Sequence, residues 1–233
     1  MTVPKDPGAI PIPHGVVFDL DGTLVDNMPI HAEAFSIFAS RHGLPPLTLE
    51  DRARLDGKRN RDIFPILFGR PLDEDALHAY ADEKEAIYRD RSRGRLVPLR
   101  GLARLLGVLA QRGIGVALAT SAPEPNVRHS LEELGLTALG AHVARSELVP
   151  HGKPHPDVFL AAASMLGVSP ETCLAFEDAP MGVKAARAAG MTCVALTTTF
   201  SREALLAQDP PPHLVVADFE EYLSGSGAGL GAP

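Results

Sequence analysis

Two aspartates, Asp19 and Asp21, stand at the end of the apolar run Gly15-Val16-Val17-Phe18 and directly ahead of Gly22-Thr23. Carboxylates in that position repel each other and lose hydration, so the pair is costly unless a cation joins them. A hard divalent cation meets the need, and Mg2+ typically takes one or two carboxylates together with substrate phosphate oxygens. The competing reading is a plain Asp21-Gly22 turn with Asp21 capping a helix. Glu177-Asp178 follows a second apolar run, Leu174-Ala175-Phe176. Alone it would read as N-cap acid for a helix starting near Pro180. Two acidic pairs at strand ends of one sheet, however, can meet across the sheet edge and hold one metal. Thr120, Ser121 and Ala122 also follow an apolar run. A hydroxyl and free backbone N–H groups before a helix can bind phosphate oxygens, or simply cap the helix. Lys153 sits in Gly152-Lys153-Pro154-His155-Pro156, where the prolines stiffen the chain. Held rigidly, it could neutralise phosphate and aspartate charge; free, it is an ordinary surface lysine. His151 and His155 are four apart, but the prolines between them spoil the helical spacing of a metal pair.

These groups can meet only if the elements around them form one sheet. After Pro98 the sequence alternates apolar helix faces (Leu102, Leu105, Leu106, Leu109) with short strands at 114–119, 143–144, 174–176, 192–196 and 214–216. Such alternation predicts right-handed crossovers and a parallel sheet covered on both faces. Ligands of open parallel sheets sit beyond the carboxyl ends of the strands, where the candidate residues fall. Between 28 and 95 the texture is helical, with helices expected over about 28–42, 60–68 and 73–91. The expected α/β organisation is a Rossmann-like core over 15–26 and 96–224, a helical unit over 27–95, a loose lead-in over 1–14 and a Gly-rich tail over 225–233.

Composition narrows the class. With 45% hydrophobic and 22% charged residues in 233, the chain reads as an ordinary globular protein. A net charge of −7 lacks the basic stripe a nucleic-acid surface needs. No run approaches the length of a membrane span, and the N-terminus lacks a signal peptide's apolar middle. The expectation is a cytoplasmic monomer with no nucleic-acid or membrane partner. Cys173 and Cys193 are expected as buried free thiols in neighbouring strands.

The four segments in this order resemble the haloacid dehalogenase superfamily. Asp19-Leu20-Asp21-Gly22-Thr23-Leu24 is similar to its first motif, Thr120 to the second, Lys153 to the third and Glu177-Asp178 to the fourth. Gly182-Val183-Lys184-Ala185-Ala186 resembles the subgroup containing β-phosphoglucomutase and phosphoglycolate phosphatase, and the insert its helical cap. The resemblance implies that Asp19 attacks phosphorus and becomes an aspartyl phosphate, while Asp21 protonates the leaving oxygen and then activates water. It further implies Mg2+ held by Asp19, the Asp21 backbone carbonyl and Asp178, with Glu177 assisting. Thr120, Ser121 and Ala122 would bind phosphate oxygens, and Lys153 would offset their charge. An acid at Asp21, which haloacid dehalogenases and phosphonatases lack, implies phosphate-ester chemistry.

Within the cap, His31 is similar to a hinge histidine of the mutase group. Leu55-Asp56-Gly57-Lys58-Arg59-Asn60-Arg61 is similar to its substrate-specificity loop. Asn60 replaces the mutase's sugar-phosphate-binding arginine and Asp56 its lysine, although Lys58, Arg59 or Arg61 could substitute. The expected activity is therefore hydrolysis of a small phosphorylated metabolite, such as a sugar phosphate. A β-phosphoglucomutase-type mutase is the alternative, and a non-catalytic phosphometabolite-binding protein a third reading.

Overall fold

Six short strands build the frame: β1 Gly15–Phe18, β2 Gly115–Thr120, β3 Val143–Arg145, β4 Cys173–Glu177, β5 Thr192–Leu196 and β6 Leu214–Val216. In the computed structural model, which describes residues 10–225, they form one parallel sheet in the order β3-β2-β1-β4-β5-β6. The expected α/β parallel core is thus the observed one. Of the expected lead-in, 1–9 lies outside the described residues, as does 226–233 of the tail. Ile10, within the lead-in, is buried in the core.

Strand residues alternate faces, so each strand feeds two cores. One face carries Val16, Phe18, Leu118, Leu174, Phe176, Val194 and Leu196. It packs on α5 (Leu102–Gln111), α6 (Glu124–Glu133) and α10 (Phe219–Ser224). Phe18 stacks on Phe176 at 5.1 Å, and both meet Phe219 edge-on, arrangements the ring quadrupoles favour. The other face is built from small residues: Ala117, Ala119, Cys173, Ala175, Cys193 and Ala195. Small side chains let α7 (Asp157–Leu166) and α8 (Pro180–Ala188) approach closely. Cys173 and Cys193 are free and buried in adjacent strands, as expected. A short α9 (Arg202–Leu206) precedes β6.

The chain leaves the sheet after β1 and returns beside itself: Val25 bridges Pro98, and Leu99 N–H donates to the Leu24 carbonyl. Between these points lie α1 (Met28–Arg41), α2 (Leu49–Leu55), α3 (Asn60–Phe68) and α4 (Glu74–Ser92). They enclose an apolar cluster of their own around Phe35, Phe38, Phe64 and Tyr88. Helix α2 is not among the sequence expectations. Its signal is a capping box, in which Asp51 N–H donates to Thr48 Oγ1 and Thr48 N–H to Asp51 Oδ2. No helix among the described residues is long and apolar enough to cross a membrane.

Candidate active site

Strand order reverses around β1 and β4, which places a crevice at their carboxyl ends. Phe18 pairs with Phe176, and Asp19 N–H donates to the Phe176 carbonyl at 3.0 Å. Asp19 and the Glu177-Asp178 pair therefore emerge side by side. Carboxylate oxygens of Asp19, Glu177 and Asp178 all lie within 4.8 Å of one another, and all three residues are buried. Lys153 Nζ reaches into the group, 2.5 Å from Asp19 Oδ1 and 2.6 Å from Glu177 Oε1. Glu177 Oε2 accepts from the backbone N–H groups of Asp178 and Ala179, each at 2.9 Å. Thr23 Oγ1 donates to Asp178 Oδ1 at 3.2 Å.

Three buried carboxylates around one ammonium leave negative charge in excess. Burial pushes the Asp19 carboxyl up to about 8, against the pull of Lys153. Burial also raises Asp178 well above the usual carboxylate range, with the charges of Glu177 and Asp19 adding to it. For Lys153 burial works the other way, but Asp19 and Glu177 outweigh it and hold the ammonium charged beyond its normal range. The donors are hard, clustered and short of positive charge, which fits Mg2+.

Two glycines make this geometry possible. Gly22 has φ +82, and a Cβ there would run into Asp178 Oδ2. A Cβ on Gly182, in the first turn of α8, would overlap Glu177 Oε1. Gly182→Ala should therefore push Glu177 off Lys153 and weaken Mg2+ binding by roughly 10-fold or more, the scale of lost supporting contacts at metal sites. Titration calorimetry reads this directly; wild-type affinity in the variant would refute the placement of Glu177.

Asp21 turns away from that cluster toward the cap. Its Oδ1 accepts from Asn27 Nδ2 at 2.6 Å, and its Oδ2 faces His31 Nε2 at 3.6 Å. Lys84 Nζ lies 3.0 Å from His31 Nδ1. An ammonium can only donate, so Nδ1 accepts in the neutral ring, and Nε2 carries a proton aimed at Asp21 in either charge state. At 3.6 Å that N–H has not closed a hydrogen bond. Burial raises the Asp21 carboxyl, but His31 and the Asn27 amide outweigh it and hold Asp21 below the usual range. His31 stacks flat on Tyr88 with centroids 3.8 Å apart.

One pocket between cap and sheet edge joins most of the expected residues: Asp19, Asp21, His31, Gly57, Lys58, Asn60, Thr120, Ser121, Ala122, Lys153, Glu177 and Asp178. Thr120 Oγ1 accepts from Ala122 N–H at 3.0 Å, which shapes the loop. Ser121 Oγ donates to the Gly57 carbonyl at 2.9 Å, fastening the cap loop to the core. Arg59 and Arg61, expected as substrate contacts, do not line this pocket. Asp62 holds the Arg59 guanidinium through two hydrogen bonds, against Gly152, and Arg61 pairs with Glu74 at the surface. Asp56 lines the pocket but is held by Arg52 at 2.9 and 3.0 Å. Sequence reasoning missed Asn27, Lys84, Glu85 and Asn126. Lys84 had a signal: it shares a helical stripe with Leu77 and Tyr88, so a charge stands where the periodicity demands an apolar residue.

The haloacid dehalogenase-like hydrolase family matches residues 13–190. Hexitol phosphatase A of Escherichia coli K12 is 37% identical over 193 residues, covering 78% of this chain and 82% of that protein. A phosphoglycolate phosphatase of Pseudomonas putida is 30% identical over 218 residues, covering 92% and 80%. Among solved structures, a β-phosphoglucomutase of Clostridium difficile superposes with TM-score 0.76 at 25% identity, covering 89% of this chain and 92% of that one. With the four motif segments assembled at one sheet edge, the chain belongs to the haloacid dehalogenase-like hydrolases.

Proposed function

We propose that this protein is a Mg2+-dependent phosphatase that hydrolyses a small phosphorylated metabolite, such as a sugar phosphate, through an aspartyl-phosphate intermediate on Asp19. The observation that carries the reading is the division of labour between the two first-motif aspartates. Asp19 points into a three-carboxylate cluster bound by Lys153, whereas Asp21 points into the cap side of the same pocket. Bound Mg2+, held by Asp19, Asp178 and the Asp21 carbonyl with Glu177 in support, would supply positive charge to offset the phosphoryl oxygens. Asp19 attacks phosphorus in line, and the Thr120–Ala122 loop and Lys153 hold the phosphoryl oxygens. Asp21, ionised in the free enzyme, must first take up a proton; it then gives that proton to the departing oxygen and recovers one from the attacking water. The unpaired His31 Nε2–H is positioned to steady Asp21 between these two states.

Support for a phosphorylated carbohydrate comes from relatives named hexitol phosphatase A and, in Thermotoga maritima, phosphorylated carbohydrates phosphatase. The same reading takes the enzyme as a cytoplasmic monomer without nucleic-acid or membrane partners, in keeping with its net charge of −7.

The mutase reading has the likeness to β-phosphoglucomutase in its favour. A mutase must grip a second phosphate in the cap while the sugar turns over. Here Asn60 is hydrogen-bonded to Glu85, and Arg59 and Arg61 are engaged elsewhere. With β-glucose 1-phosphate and Mg2+, one inorganic phosphate per glucose released is the expected result. Glucose 6-phosphate without stoichiometric phosphate would establish the mutase instead.

A further inference from the structure

The cap-side wall of the pocket carries a buried carboxylate that none of the proposed chemistry uses. Glu85, on α4, is only 5% exposed. Its Oε1 accepts from Lys84 Nζ at 2.9 Å and from Asn60 Nδ2 at 2.7 Å. Its Oε2 accepts from Asn126 Nδ2 at 2.6 Å, a contact from the cap to α6 of the core. Burial alone would raise this carboxyl, but Lys84 and His31 outweigh it, so Glu85 stays ionised with its pKa below the usual range.

What the wall still offers to a ligand follows from counting donors and acceptors. Both amides turn their NH2 groups to Glu85, so their oxygens face elsewhere. Asn126 Oδ1 is taken by Arg89 Nη1 at 2.7 Å. Asn60 Oδ1 has no protein partner among the described residues, and one lone pair of Glu85 Oε2 is unused. Lys84, the cation paired with Glu85, is spent: it donates to His31 and Glu85, and its ammonium lies 4.4 Å from the centre of the Phe35 ring. On this wall, Lys58 apart, the remaining capacity is acceptors beside a buried carboxylate that already shares its charge with Lys84. Hydroxyl groups satisfy acceptors of this kind, whereas an anionic group is repelled at low dielectric.

Resting on the phosphatase reading, we infer that Glu85, Asn60 and Asn126 form a hydroxyl-reading wall that selects phosphate esters of neutral polyhydroxylated compounds and rejects leaving groups that carry a carboxylate or a second phosphate. Glu85 acts as the discriminating charge, and the asparagines hold it in register across the cap–core seam. Lys58 is the counterweight. It lines the same pocket without an ion-pair partner among the described residues, and would be the attachment point of a carboxylated substrate were the wall not selective.

The test compares kcat/KM with Mg2+ for a hexitol 6-phosphate and for phosphoglycolate, with p-nitrophenyl phosphate as generic substrate. Wild type is expected to favour the hexitol phosphate by about 10-fold or more. Glu85→Gln, which keeps shape and removes charge, should shrink that ratio by about 10-fold, through a higher KM for the hexitol phosphate and a lower one for phosphoglycolate. Lys58→Ala should leave the ratio in favour of the hexitol phosphate. The wild-type ratio stands without any variant, should Glu85→Gln fold poorly. Equal or better turnover of phosphoglycolate by wild type overturns the inference. So does a proportional loss on both substrates in Glu85→Gln, which marks a merely structural carboxylate, or a selective loss of phosphoglycolate turnover in Lys58→Ala from an enzyme that prefers it. If p-nitrophenyl phosphate is hydrolysed while the hexitol preference is missing, the phosphatase reading survives and only the wall fails. If wild type hydrolyses none of the three, both fall.

Discussion

Asp19→Asn is expected to lower kcat for p-nitrophenyl phosphate by at least roughly 10^4-fold, the scale on which an essential nucleophile is missed. The physical reason is that a carboxamide cannot form the acyl phosphate, and no second carboxylate can take its place. Glu177 is fixed by Lys153 and by two backbone N–H groups. Asp178 is held by Thr23, and Asp21 points to the cap. The substitution is nearly isosteric, and the new amide oxygen can still accept from Lys153, so a folded protein with a wild-type-like melting profile should accompany the loss. Turnover within about 10-fold of wild type in a folded Asp19→Asn variant would rule out Asp19 as nucleophile and the aspartyl-phosphate route with it.

Lys153→Met should be the most damaging single change to stability in the site. Removing one partner of a buried ion cluster typically costs about 3–5 kcal/mol, and here it leaves three carboxylates without their ammonium. At about 2–4 °C per kcal/mol for a chain of this size, melting should fall by roughly 6–20 °C. Mg2+ should recover more of the melting temperature in the variant than in wild type, because the cation takes over the missing charge. The pH dependence follows from the same cluster. In chelator, folded Asp19 holds its proton up to about 8 whereas its ordinary value is 3.8. Between those values the folded state binds more protons than the unfolded, so this group's contribution to stability declines as pH rises through that window. The ammonium of Lys153, whose pKa is raised, is charged in both states there and adds no slope of its own. Melting of metal-free wild type, followed from about pH 5 to about pH 8, should therefore show a downward trend that Mg2+ flattens. A flat metal-free profile, or a variant as stable as wild type, would contradict the charge balance described.

Much of the site was legible because the relevant signals are local. An apolar run of a few residues ending in acids is a strand with a site at its mouth, and it occurs at both Phe18-Asp19 and Phe176-Glu177. The Pro-flanked context of Lys153 leaves a held lysine and an ordinary surface lysine both open, and the fold buries it to 5% exposure. The cap was read less well. Arg59 and Arg61 are expected as substrate contacts because the stretch from Leu55 to Arg61 is similar to the mutase group's substrate-specificity loop. Their directions depend on Asp62, Glu74 and Gly152, and only the last two come from elsewhere in the chain.

By itself, then, the sequence determined the sheet, its alternation with helices and the identity of the residues at the strand ends, since these follow from periodicity and from the cost of burying carboxylates. Tertiary structure alone decided which way each carboxylate faces. Asp19 and Asp21 differ by two positions, yet one joins Lys153, 134 residues away, and the other meets Asn27 and His31. It also decided that Lys84, Glu85 and Asn126 face the pocket. Glu85 and Asn126 are 41 residues apart and meet only because the cap folds down onto α6. Pairings across such separations depend on packing of whole elements, and no local pattern of residue types encodes them.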